Sequence, residues 1–273
     1  MSPVESATRT TQAVILARGL GTRMRASDGA ATLAPEQAAV ADAGVKAMIP
    51  VGRPFLDYVL SGLADAGFKE VCIVVAPDDS TIREYYTKRA VPARIRVAFA
   101  VQQEAKGTAD AVLSVEDYAG GEPFVVLNGD NYYPPDVLRA LRLADGCAGV
   151  AFTREGLLRT ADVPADRIAK YAILDVAEDG ELERIVEKPG TSTPGDRVSM
   201  NCWRLTSDMF RACREVPLSP RGEYELPVAV RYAIEQLGMS FHMVSADATV
   251  LDLSQRADVP AVAARLESVK VDL

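Results

Sequence analysis

The chain has 273 residues, 48% of them hydrophobic and 25% charged, the composition of a globular protein with one large α/β domain or two small ones. Its formal net charge of −8 argues against a general nucleic-acid binder, and no apolar run reaches the length of a membrane span. A single histidine, His242, leaves Ser-His or Cys-His chemistry little to work with, and the four cysteines Cys72, Cys147, Cys202 and Cys213 lack metal-ligand spacing.

Residues 1–12 are polar and lack an apolar secretory core, so they read as the frayed start of a cytoplasmic protein. Ala13-Val14-Ile15-Leu16-Ala17 is a short apolar run closed by glycine, the pattern of a strand buried on both faces of a parallel sheet. Gly19, Gly21, Thr22 and Arg23 follow. Glycines after a buried first strand let backbone N–H groups aim at phosphate oxygens, and arginine pairs with phosphate bidentately. The stretch from Leu16 and Ala17 to Arg23 is therefore a candidate phosphate loop.

Residues 24–44 are Ala-rich and weakly periodic, and read as a long loop or lid carrying one short helix. Phe55, Val59, Leu60 and Leu63 recur at helical spacing between Pro54 and Gly67. A second buried strand is expected over 71–75, a helix over 79–88, a third strand over 94–101 and a helix over 107–115. A fourth buried strand, 124–127, ends in Asn128-Gly129-Asp130-Asn131. This alternation predicts a parallel sheet with helices on both faces, and such sheets bind ligands outside the carboxyl ends of their strands. The Gly19 loop and Asp130 both lie at such ends.

Further on, strands are expected over 149–153, 169–176, 181–186, 198–205, 241–245 and 249–253, with a turn at Glu178-Asp179-Gly180. Helices are expected from Ser207, over 224–237 and over 256–269. His242, in the alternation FHMV, reads as a strand residue. No repeat or Pro/Gly linker divides the chain. One domain is expected, with a nucleotide half over 12–145, a substrate half over 146–258 and a closing helix over 259–273.

The chain carries, in order, GLGTRM, VKAMIPVGRPFLDYVL with Lys46, VQQEAKGTADAV with Gln102 and Gly107, NGDN with Asp130, KYAILD, VEKP, SMNCW with Asn201, RGEYELP, and VLDL with Asp252. With this ordered set, over roughly 12–258, it resembles the sugar-1-phosphate nucleotidyltransferases, the NDP-sugar pyrophosphorylases. The resemblance implies a Rossmann-like α/β fold with a mixed, mostly parallel central sheet flanked by helices. It implies attack of a sugar 1-phosphate on the α-phosphorus of a nucleoside triphosphate, giving an NDP-sugar and pyrophosphate. That nucleophile is already an anion, so no general base is needed.

The same resemblance distributes the roles. Arg23 takes the β- and γ-phosphates with the Gly19 and Gly21 backbone and Thr22, and Lys46 the α-phosphate or pyrophosphate side. Lys188 takes the sugar phosphate, and Glu187 a sugar hydroxyl. Gln102, Gly107 and Thr108 face the nucleobase; Asn131, Tyr171, Ala172 and Asn201 face the sugar. Asp130 and Asp252 hold one Mg²⁺, a hard ion content with two carboxylates plus phosphates and water. The Gln102 amide offers a donor and an acceptor to a pyrimidine edge, favouring dTTP or UTP, although similar GTADA segments occur in purine-using relatives. Glucose 1-phosphate is the family's commonest sugar substrate, and a homo-oligomer is its common state. Neither nucleic acid nor membrane is an expected partner.

The chain also departs from the family. Arg18 stands where Gly or Ala is usual, the stretch before Lys46 is longer, and Ala172 replaces a sugar-contacting glycine. Val250 and Ser254-Gln255 replace the Trp and Gly-Thr that flank the second acid. The departures at Ala172 and around Asp252 motivate an alternative, a catalytically weak homologue acting as a nucleotide-sugar-binding regulatory subunit. A glycosyltransferase is a third reading, disfavoured by the Gly-Thr-Arg loop. Sugar-phosphate-dependent release of pyrophosphate separates the three.

Overall fold

The structure, a computed structural model, describes residues 9–26, 33–159, 165–169, 171–186 and 196–273; Glu187 and Lys188 lie outside the described residues. The first half of the central sheet is parallel. It consists of β1 (Gln12–Leu16), β2 (Glu70–Val75), β3 (Arg96–Val101) and β4 (Phe124–Asn128), in the order β3-β2-β1-β4. The uninterrupted apolar run of β1 follows from its place between β2 and β4. Ala13 and Ile15 pack into one core layer with Phe55 and Leu60, and Val14 into the other with Val112 and Phe210. Helices therefore cover both faces, and no polar residue could sit mid-strand without losing its partners to water.

A short strand, β5 (Asn131–Tyr132), follows β4 outside the main sheet. The second half of the sheet comprises β6 (Cys147–Thr153), β7 (Ala172–Val176), β8 (Leu182–Val186), β9 (Arg197–Ser199), β10 (Trp203–Leu205) and β11 (Phe241–Ala246). The full order is β3-β2-β1-β4-β10-β6-β9-β7-β8, with β11 parallel on β6. The sheet is thus mixed and mostly parallel. Antiparallel β10 joins the halves by pairing Trp203 with Val126 on one side and Gly149 on the other. A side chain at Gly149 would collide with the Trp203 ring, so the large residue and the absent one fit together.

Three expected elements need correction. The strand expected over 198–205 is broken into β9 and β10 at Asn201, whose φ of 58° no regular strand allows. The strand expected from 169 starts only at Ala172, because a short helix, Ala165–Ile168, precedes it and the Tyr171 amide donates to the Ile168 carbonyl (3.1 Å). The strand expected over 249–253 shrinks to β12 (Leu251–Asp252), which pairs with β5 rather than with the main sheet. Within 24–44, the described residues include a nine-residue helix, Pro35–Ala43, that ends at Gly44 in the left-handed conformation. His242 lies in β11 as expected, and all four cysteines are buried as free thiols. Among the described residues, no helix is long and apolar enough to cross a membrane.

Candidate active site

β1 and β4 end in register, Leu16 opposite Asn128, and the Gly129 amide donates to the Leu16 carbonyl (3.0 Å). The loop after β1 and the turn after β4 therefore leave the sheet side by side. The loop runs into a single helical turn, Thr22–Arg25. Gly21 has φ 62°, and a Cβ there would run into the Gly44 carbonyl. Gly19 is different, since a Cβ at that position would meet nothing within 4 Å. The fold demands glycine at 21, whereas at 19 the open space is available to a ligand.

This loop borders a cavity of about 490 Å³. Leu16, Ala17, Gly19, Gly21, Thr22, Gln102, Gly107 and Thr108 all line it, with Arg18, Arg23, Lys46 and Asp130. A second cavity of about 270 Å³ is lined by Asn131, Tyr171, Ala172, Asn201 and Asp252. Arg23, Thr108, Asn128, Asp130, Arg221, Glu223 and Ser254 line both, so the two spaces share a wall. Among these, Asn128, Arg221, Glu223 and Ser254 were not singled out as site residues from the sequence. A cation within the RGEYELP segment was the available signal for Arg221.

The wall between the cavities is built by backbone pairing. The Tyr224 amide donates to the Lys106 carbonyl (2.7 Å), and the Ala109 amide donates to the Tyr224 carbonyl (2.8 Å). Gly107, with φ 116°, lies so close that a Cβ would strike the Tyr224 carbonyl. The Thr108 hydroxyl accepts from the Leu226 amide (2.7 Å) and so caps the helix Leu226–Leu237. Gln102 is 5% exposed, and its amide nitrogen donates to the Gly107 carbonyl (2.9 Å) and to Asp110 (2.8 Å). The expected donor to a nucleobase is thus spent inside the protein. A buried amide must satisfy its N–H groups, and the 107–110 turn supplies the acceptors. The backbone carbonyl of Gln102 receives the Arg18 guanidinium at 3.5 Å.

The two candidate metal carboxylates come together through the β5–β12 ladder, in which Asp252 stands opposite Asn131 and the Leu253 amide donates to the Asp130 carbonyl (2.8 Å). Lys46, on the turn Lys46–Met48, pairs with the Asp130 carboxylate. Asp252 is buried. It accepts from the Tyr171 hydroxyl (2.5 Å), from Ser254 Oγ (2.8 and 3.0 Å) and from Arg167 Nη1 (3.4 Å). Burial, and then the neighbouring charge of Asp130, push the Asp252 carboxyl above its ordinary value. Burial, with Asp252 adding to it, likewise raises the Tyr171 hydroxyl, which stays protonated and donates. Two hard-oxygen acids in electrostatic conflict on one wall suit a single divalent cation. Among the described residues no cluster of three metal-ligating side chains forms, so the other ligands of such an ion would be phosphate oxygens and water.

Asn201 holds the far side of the smaller cavity. Its Nδ2 donates to Asn128 Oδ1 (2.7 Å), and its Oδ1 accepts from Trp203 Nε1 (3.1 Å). A left-handed non-glycine residue with its side chain tied on both sides is a strained position maintained by its surroundings. Ala172 is buried in the same lining.

The family profile described as "Nucleotidyl transferase" matches residues 12–253. A relative from Haloferax volcanii named UTP--glucose-1-phosphate uridylyltransferase AglF is 30% identical over 262 residues, covering 94% of this chain and 96% of the relative. A UTP--glucose-1-phosphate uridylyltransferase of Bacillus subtilis is 24% identical, covering 81% of this chain and 79% of the relative. Among solved structures, the UTP-bound UGPase from Acinetobacter baumannii shares the fold with a TM-score of 0.73 at 19% identity, over 96% of this chain and 95% of that one. A UDP-glucose pyrophosphorylase complexed with UDP-glucose does so with a TM-score of 0.71 at 19% identity, over 95% and 99%.

Proposed function

Since this chain belongs to the nucleotidyl transferase family, and within it to the sugar-1-phosphate nucleotidyltransferases, we propose that it transfers the uridylyl group of UTP to glucose 1-phosphate, releasing pyrophosphate. The observation that carries this reading is the wall shared by the two cavities, which gives Arg23, Asp130 and Arg221 access to both. A reaction between two anionic substrates needs cations at that junction. The choice of UTP and glucose 1-phosphate is supported by the activity for which the Haloferax relative is named, a protein that this chain matches along nearly its whole length. Such a reaction belongs in the cytoplasm, where nucleoside triphosphates are made.

The larger cavity takes the triphosphate against the open backbone at Gly19, with Arg23 on the β- and γ-phosphates. The smaller takes the sugar, against Asn131, Ala172 and Asn201. A phosphate oxygen of the sugar 1-phosphate attacks the α-phosphorus from the smaller cavity, and the bond to the pyrophosphate oxygen breaks on the other side. Lys46 and Arg221 neutralise the charge that builds between them, and no side chain is required to remove a proton. Asp130 and Asp252 would hold Mg²⁺, which when bound supplies a dication for the phosphate oxygens of both substrates. Tyr171 and Ser254 orient the Asp252 carboxylate for that role. Each such electrostatic contact contributes on the order of 3 kcal/mol in the transition state.

A pyrophosphate-release panel tests the proposal. UTP, dTTP, CTP, GTP and ATP are each supplied with Mg²⁺ and glucose 1-phosphate, then with other sugar 1-phosphates. Release with UTP and glucose 1-phosphate is expected, and a chelator should stop it. Equal or greater release with dTTP would overturn the choice of UTP. Silence with every pair, alongside tight nucleotide binding, would replace the enzyme by a nucleotide-sugar-binding regulatory subunit.

A further inference from the structure

The segment after β12 sends one side chain back beneath the phosphate loop. Arg256 has a side chain only 10% exposed. Its Nε donates to the Met24 carbonyl (2.8 Å), its Nη2 reaches the Arg25 carbonyl (3.5 Å), and its Nη2 also pairs with Asp42. Met24 and Arg25 close the helical turn Thr22–Arg25, and a four-residue turn cannot satisfy its own last carbonyls. A guanidinium there supplies the missing donors and sits at the negative end of the turn. Asp42 belongs to the helix Pro35–Ala43, and the Ala43 carbonyl in turn receives Arg25 Nη2 (2.9 Å).

Three pieces of chain therefore meet at one guanidinium: the turn carrying Thr22 and Arg23, the helix ahead of Lys46, and the stretch carrying Asp252 and Ser254. That last stretch is itself pinned. The Ser254 and Gln255 amides donate to Asp258 (2.9 and 2.8 Å), and Arg167 reaches both Asp252 and Asp258. Arg256 lines neither cavity. The Asp42 side chain is 68% exposed, so its ion pair alone restrains little. The carbonyl contacts carry the restraint, and they need the planar fork of arginine, since one lysine ammonium cannot reach both carbonyls and Asp42 in the same geometry.

We infer that Arg256 is a positioning residue for nucleotidyl transfer, fixing the distance between the Arg23 guanidinium on the triphosphate side and the Asp252 carboxylate on the sugar side. The inference rests on the proposed reaction. Its effect passes through Arg23, so it predicts a coupling rather than a simple loss.

The test is a double-mutant cycle of Arg256→Ala and Arg23→Ala, with Arg256→Lys as the conservative partner. Pyrophosphate release gives kcat and the two KM values, calorimetry gives UTP affinity, and thermal unfolding reports the fold. Arg256→Ala should raise KM for UTP and lower kcat, each by about tenfold, because misplacing a clamping group by a fraction of an ångström costs this much. KM for the sugar 1-phosphate should stay within about twofold, and Arg256→Lys should recover only part of the loss. In the Arg23→Ala background the same substitution should change UTP affinity by less than about twofold. Equal losses in both backgrounds, or parallel loss for both substrates, would overturn the inference. If Arg256→Ala does not fold, Arg256→Lys completes the cycle under the same criteria. A parent chain that binds UTP without releasing pyrophosphate would fail the proposed function alone, and the cycle would then be read from UTP affinity.

Discussion

Asp252 stands opposite Asn131 in the β5–β12 ladder, which brings it beside Asp130 from the far end of the chain. This short pairing, with the Leu253 amide on the Asp130 carbonyl, makes the acids neighbours. Asp130→Asn and Asp252→Asn should each lower turnover by about 10²–10³ with the fold intact, the usual scale for deleting one transition-state electrostatic contact. Tyr171→Phe should cost less, since it removes a group that only orients Asp252. Pyrophosphate release, with unfolding curves as control, measures all three. Near-normal turnover of the Asp130 variant would remove the acid from the reaction.

Gly19 and Gly107 separate ligand access from folding. Gly19→Ala adds a methyl to empty space, so stability should hold while UTP affinity falls. Gly107→Ala forces a Cβ against the Tyr224 carbonyl at φ 116°, so it should unfold at a denaturant concentration lower by an amount worth about 1–3 kcal/mol. Denaturant titration and calorimetry on the two variants check the contrast, and an equal stability loss at both positions would refute it.

Gln102→Glu replaces two donated hydrogen bonds by repulsion from Asp110. Leaving the Gly107 carbonyl without its partner should cost about 1–3 kcal/mol in stability. A variant as stable as the parent in urea would show that the buried amide does not hold the turn.

Burial pushes the thiols of Cys72 and Cys213 up to about 12 from an ordinary 9.0, and raises the hydroxyls of Tyr86 and Tyr133 well above 10.0. Above about pH 9 the unfolded chain therefore binds fewer protons than the folded one, and the unfolding free energy falls as pH rises toward 12. This contribution is fully present below pH 9. The urea midpoint should drop between about pH 8 and about pH 11, and a thiol reagent should reach the four cysteines only in denaturant. Rapid labelling of the native protein at the lower pH would contradict the burial.

Much of the first half was legible in the sequence because its strands are buried on both faces. The run from Ala13 to Leu16 tolerates no polar residue, and Gly19 and Gly129 mark where the chain leaves the sheet. The second half was less legible. VSMNCWRL alternates as one strand would, and nothing short of the tertiary structure tells Asn201 to break it. Leu251 and Asp252 look like sheet residues, yet their register is decided by a partner that lies next to β4. The candidate side chains among the described residues line two adjoining cavities. Their hydrogen bonds were not legible: Gln102 turns back onto Gly107 and Asp110 only a few positions along the chain, and Thr108 answers to the Leu226 amide from a distant segment. Arg256 was invisible for the same reason, an ordinary arginine ahead of a helix until its fold neighbours are known.

The insertion of β10 between β4 and β6, with Tyr224 stitched to Lys106 and Ala109, has a practical consequence for redesign. A chimera cut between the halves would exchange the strand that seals β4 and would import a foreign wall for the nucleotide cleft. Recombining halves from relatives with other sugars should therefore disturb the handling of UTP before it changes the sugar. A point change at Ala172, which lines only the smaller cavity, leaves that seam untouched and, under the proposed reaction, is the direct route to a new sugar preference.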